Sequence, residues 1–208
     1  MDQKEALASL ETIRTILERS TNYTHFAPAG IVAGGISASA AAVGGRLLDL
    51  GPDRRPIQFL LLWGAAFLVA FVAGVGASAH RARRRGEAFW SRKLEYVAAG
   101  FIPPAAGAAI LTAAFYDSGR LDLCPGAWMI LYGIAILSVG VVLDWEFRAT
   151  AWAFLIAGSA ALFVLREHPH LSMGCAFGGL HIALGAVRLA MEGIGPWRAP
   201  VRFNDSRT

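Results

Sequence analysis

Six windows of this chain contain no Asp, Glu, Lys or Arg: residues 26–45, 57–79, 96–116, 123–143, 149–165 and 172–187. A helix needs about 20 apolar residues to cross a hydrocarbon core roughly 30 Å thick. The first four windows are long enough. The last two are shorter, and Arg188 extends the sixth, because a long cationic side chain reaches back to the interface. Only 16 % of the residues are charged, against about 25 % in a soluble domain. That excludes an ordinary cytosolic enzyme, and the clustering of the apolar residues excludes disorder. A membrane β-barrel is excluded as well: the run Phe59-Leu60-Leu61-Leu62-Trp63 and its continuation stay apolar without the alternation of barrel strands. The expected fold is all-α, a polytopic membrane protein built as a six-transmembrane-helix bundle with a cytoplasmic N-terminal amphipathic helix. The spans are expected at about 26–47, 57–79, 95–116, 124–143, 149–166 and 172–190. Residues 1–25 form the amphipathic helix and its junction, 26–192 the bundle and 193–208 a cytoplasmic tail. No stretch outside the bundle is long enough to bury a core of its own.

Orientation follows from the basic residues. Of the 19 Lys and Arg, the two tails and the even-numbered loops hold 14 and the odd-numbered loops hold 5. The positive-inside rule then places both termini in the cytoplasm. Trp128, Trp145 and Trp152 fall near predicted helix ends, where an aromatic belt would put them. The first 20 residues carry no continuous apolar stretch of signal-peptide type. The expected location is a bacterial-type plasma (inner) membrane, crossed several times.

On the cytoplasmic side, Ala6, Leu10, Ile13 and Leu17 recur on one face of a helix, with Glu11, Arg14 and Glu18 opposite. Such a helix lies on the membrane, packs under its own bundle, or docks a protein partner or a second copy. The second loop holds Arg81, Arg83, Arg84 and Arg85. These arginines orient the chain, and they also suit contact with lipid head groups or a partner. No helix-turn-helix or zinc spacing accompanies them, so nucleic acid is not an expected partner.

Inside the spans, His181 is the ionisable side chain that invites a partner. Gly174, Gly178, His181, Gly185, Arg188 and Glu192 form one stripe of the sixth helix, whose glycines let another helix approach closely. A neutral histidine bonded across a helix pair and a proton or ligand site including Arg188 both fit this stripe. Pro103-Pro104 predicts a kink or break in the third span, because proline removes a backbone donor and crowds the preceding turn. Broken helices line substrate sites in transporters.

Cys124 and Cys175 fall on one predicted side, the oxidising one. A disulfide between them and two unconnected apolar cysteines are both open at this level. With His168 and His170 they supply the donor types of a tetrahedral metal site, in a spacing that matches no strong metal motif. A serine in the fourth span and a histidine in the sixth invite comparison with intramembrane serine proteases. Ser138 and His181, however, lie at depths that differ by roughly 9 Å, and Ile136 stands where that family has glycine. No P-loop, dinucleotide fingerprint or His-Glu-x-x-His occurs. No enzyme activity and no cofactor are expected.

Glu18-Arg19-Ser20-Thr21-Asn22-Tyr23-Thr24-His25-Phe26 and Gly179-Leu180-His181-Ile182-Ala183-Leu184-Gly185 together resemble small bacterial multi-span membrane proteins with no assigned activity. The resemblance implies a six-helix integral membrane protein and carries over no function. The expectation is a non-enzymatic interaction or regulatory module of the membrane with a cytoplasmic docking helix. The alternative is a small transporter or ligand-binding protein using His181 and the Pro103-Pro104 break.

Overall fold

In a computed structural model, the structure describes residues 26–86, 88–140 and 143–193. The segment expected to form an amphipathic helix, with Leu10, Ile13 and Leu17, and nearly all of the C-terminal tail lie outside the described residues. Among those described, six helices and no strand are found: α1 (Pro28–Leu47), α2 (Pro56–Arg84), α3 (Arg92–Asp117), α4 (Cys124–Ser138), α5 (Trp145–Phe163) and α6. The last runs through three consecutive segments, α-helical Pro169–Met173, π-helical Gly174–Leu180 and α-helical His181–Gly193. Proline in the first turn of α1, α2, α4 and α6 starts each helix where its missing amide hydrogen costs nothing. Gly86 and Gly119 stop α2 and α3, both at φ +68°, a left-handed conformation that glycine adopts without strain.

Five stretches are long and apolar enough to cross a membrane: Pro28–Leu47, Pro56–Arg84, Leu94–Asp117, Leu121–Ser138 and Pro169–Glu192. Helix α5 is the exception, because Glu146 and Arg148 lie in its first turn. The outward surface is apolar. Phe67, Ile110, Ile156 and Phe163 are all more than two-thirds exposed, at 67, 69, 70 and 79 %. Such a surface is a liability in water and is what a bilayer solvates.

Helix α1 packs between α2 and α6, and α4 packs between α3 and α5. The two sets meet in two apolar clusters. One gathers Phe59, Trp63, Met129, Phe154 and Met173; the other gathers Ile136, Val139, Phe147, Ala151 and Leu184. The closest approaches use glycine, and one pattern occurs twice. A Cβ on Gly35 of α1 would lie 2.7 Å from Ile182 Cγ1 and 2.9 Å from the Gly178 carbonyl of α6. A Cβ on Gly158 of α5 would lie 2.7 Å from Ile130 Cγ1 and 2.9 Å from the Gly126 carbonyl of α4. In both pairs the partner is Gly-x-x-x-Ile, so small residues bring the backbones together without a hydrophobic driving force.

Of the kink or break expected at Pro103-Pro104, no break is found. Helix α3 continues through both prolines. The carbonyl of Gly100, which Pro104 cannot serve, accepts from the Ser138 hydroxyl of α4 at 3.2 Å. Neighbouring side chains re-satisfy freed backbone groups in this way when a membrane helix tolerates proline.

Candidate functional site

The polar side chains sort into a central cluster and two charged ends. At the centre, the π-helical segment of α6 delivers His181. Its Nδ1 lies 2.8 Å from the Phe177 carbonyl and its Nε2 lies 2.8 Å from the Tyr132 hydroxyl of α4. A carbonyl only accepts, so Nδ1 carries the proton, and, in the neutral ring that burial favours, Nε2 accepts from the tyrosine hydroxyl. Phe101, Phe154 and Phe177 surround the pair, with ring centroids 6.0, 4.8 and 5.5 Å from that of Tyr132.

His170 repeats the arrangement near the start of α6. Its Nε2 donates to the Leu50 carbonyl at 3.1 Å, and its Nδ1 accepts from the Trp63 indole at 3.4 Å. An indole only donates, so this tautomer too is fixed by its partners. Gly45 leaves the space that the His170 ring fills. Both histidines are therefore locked, neutral and spent on internal partners. Ser138 is likewise engaged: its hydroxyl lies 2.8 Å from the Ala135 carbonyl besides the contact to Gly100, and it does not pair with His181.

One end of the bundle carries the even-numbered loops. There Arg188 of α6 donates from Nη1 to Asp144 Oδ2 at 2.8 Å and to Glu146 Oε1 at 2.5 Å. Its guanidinium also lies over the Phe147 ring, 5.0 Å from the centroid. One turn further along α6, Glu192 pairs with Arg81 of α2 at 2.5 Å. These three ion pairs tie α2, α5 and α6 together. Glu146 is 5 % exposed; its burial is tolerable because it is paired. Arg83, Arg84 and Arg85 stand beside this network, exposed and without a carboxylate partner among the described residues.

The other end carries the odd-numbered loops. Arg54 pairs with Asp49 at 2.6 Å and Arg120 with Asp122 at 3.1 Å. Hydrogen bonding to Asp122, reinforced by its charge, holds Arg120 above the usual guanidinium range. Asp53, Arg120, Asp122, Arg166 and Glu167 line an open cleft of ≈ 330 Å³. Loops one, three and five thus converge at one end, and loops two and four at the other, as alternating crossings require.

The sulfur and imidazole groups do not form a centre. Cys124 is buried and Cys175 exposed, and both are free thiols, so the disulfide left open by the sequence is not formed. His168 is exposed while His170 is turned inward to Leu50 and Trp63. Among the described residues no three His, Cys, Asp or Glu gather as a metal would need, His168, His170, Cys124 and Cys175 included. Sequence reasoning found His181 and Arg188 but missed their partners Tyr132, Asp144 and Glu146. Tyr132 had a signal: it and His181 each lie about nine residues from the start of their windows, so they share a depth.

No family model, curated protein or solved structure gives a significant match to this chain. The class therefore rests on the fold: an all-helical protein with five helices long and apolar enough to span a membrane.

Proposed function

We propose that the chain is a non-enzymatic integral membrane protein, with α5 as a short sixth span, that serves as an interaction or regulatory module. Its working face is the end that carries Arg81, Arg188 and the exposed Arg83, Arg84 and Arg85. The observation that carries this reading is the division of polar groups. Those inside the bundle are engaged by internal partners, while Arg83, Arg84 and Arg85, exposed and without a carboxylate partner among the described residues, stand together beside an ion network that fixes three helix ends. A bundle made this way is a rigid platform, and recognition falls to its ends. The basic asymmetry supports a cytoplasmic location for this face, in a bacterial-type inner membrane with both termini inside. The partner is a cytoplasmic protein or a second copy, engaged through residues 1–19.

The transport reading, which would use His181 and a kink or break at Pro103-Pro104, draws less support. Helix α3 is unbroken at Pro103-Pro104, and both ring nitrogens of His181 are engaged. Blue-native electrophoresis of mild-detergent extracts tests the preferred reading. The full chain should migrate in a complex, and a chain lacking residues 1–19 should migrate as a folded bundle alone. Equal migration of the two overturns it.

A further inference from the structure

Helix α2 has 29 residues, which at about 1.5 Å each span roughly 43 Å. A hydrocarbon core is about 30 Å thick, and a bilayer with its head groups about 40–45 Å. The helix therefore reaches through one head-group layer as well as the core. The segment that enters that layer can be located. Ile57, Leu61, Phe67, Leu68, Phe71 and Val72 are each more than half exposed, the lipid-facing part of α2. Val75 is the last large exposed apolar residue, and Arg83 lies about 12 Å beyond it along the axis.

Arg83 and Arg84 end the helix, and Arg85 keeps right-handed helical geometry at φ −94°, ψ −1°. Successive helical residues are rotated by about 100°, so the three side chains fan around the helix axis. A fan of cations perpendicular to a span matches a plane of negative groups, whereas an extended acidic peptide would call for cations along one face. Trp90, 64 % exposed, stands in the same loop with its indole donating to Glu95 at 2.8 Å, an amphipathic ring suited to the same layer. Arg54 and Arg120 are neutralised by Asp49 and Asp122, and Arg81 by Glu192. Arg83, Arg84 and Arg85 have no such partner among the described residues.

We propose that Arg83, Arg84 and Arg85 form a binding surface for anionic phospholipid head groups, one that retains such lipids at the end of α2. This deepens the proposed function, resting on the reading of the chain as membrane-spanning, and it names the lipid surface that the working face contacts. Each arginine near a charged surface adds about 1 kcal/mol of attraction, equivalent to roughly fivefold in retention per residue.

The test is native mass spectrometry of the full chain, purified in micelles doped with equal phosphatidylglycerol and phosphatidylcholine. The wild type should carry phosphatidylglycerol in preference to phosphatidylcholine. Arg83→Gln/Arg84→Gln/Arg85→Gln should lose that preference at least fivefold, while Arg54→Gln/Arg55→Gln/Arg120→Gln, with the same loss of charge, should keep it. Equal retention by the wild type and the first variant overturns the proposal, as does equal loss in both variants. Displacement of the lipid by millimolar inorganic phosphate would make a free anion the ligand and overturn it too. Alkaline carbonate extraction of each variant checks membrane integration separately, so failure of the spanning reading is distinguishable from failure of the lipid surface.

Discussion

The Ser138 hydroxyl stands 3.2 Å from the Gly100 carbonyl, the acceptor that Pro104 leaves without its helical donor. The proton is shared with the Ala135 carbonyl at 2.8 Å, so one side chain of α4 mends α3 while staying bound to its own helix. Gly100 is part of the device. A Cβ there would collide with Val139 and come within 2.9 Å of Ser138 Oγ. A proline tolerated in a membrane helix thus depends on a serine 34 positions later, read from the numbering of the two residues.

This dependence predicts coupling. Ser138→Ala should lower stability by about 0.5–1.5 kcal/mol. Pro104→Ala restores an amide donor to the Gly100 carbonyl, so Ser138→Ala should cost much less in that background. Thermal unfolding of the four proteins in one detergent gives the double-mutant cycle. A coupling near zero would mean that the hydroxyl does not compensate for the proline.

The His181–Tyr132 pair makes a second prediction. Tyr132→Phe leaves Nε2 of a buried histidine without its donor, and His181→Ala leaves a void among aromatic rings as well. The first should cost about 1–3 kcal/mol and the second about 2–5 kcal/mol. Replacing both partners by rings of similar shape, as in Tyr132→Phe/His181→Phe, should be less damaging than the sum of the two single changes to Phe. Strict additivity in thermal unfolding would argue against a direct hydrogen bond.

Adjacent glycines on α6 should behave oppositely. A Cβ on Gly178 would run into Ser39 of α1, whereas one on Gly179 would meet nothing within 4 Å. Gly178→Ala should destabilise by about 1–3 kcal/mol. Gly179→Ala should be neutral or stabilising by up to about 1 kcal/mol, from helix propensity alone. Similar losses at both positions would place the α1–α6 contact elsewhere.

Much of the helix layout was legible because uncharged windows of span length leave a chain few alternatives. The second uncharged window ends at residue 79, yet α2 continues to Arg84, because arginine is a good helix former and cations favour a helix C-terminus. The fifth window starts at residue 149, yet α5 begins at Trp145. Glu146 and Arg148 looked like loop residues, and only Arg188, 42 positions beyond Glu146, makes a buried glutamate in that first turn acceptable. A break was expected at Pro103-Pro104 because nothing local reveals the hydroxyl that arrives from α4. Position along the chain locates spans well; the partner of a polar group belongs to a different helix and has to be found by depth.

The cysteines supply the last prediction. Cys175 is exposed and Cys124 buried, and they are not joined. In mild detergent the folded protein should take up one equivalent of a small maleimide, at Cys175, and Cys175→Ser should abolish that uptake. Denaturation in dodecyl sulfate should open Cys124 and bring the total to two. Prior reduction should change neither number, since there is no disulfide to release. Two equivalents appearing only after reduction and denaturation would mean that a bond joins α4 to α6, and that the two helices approach more closely at this end than the structure has them.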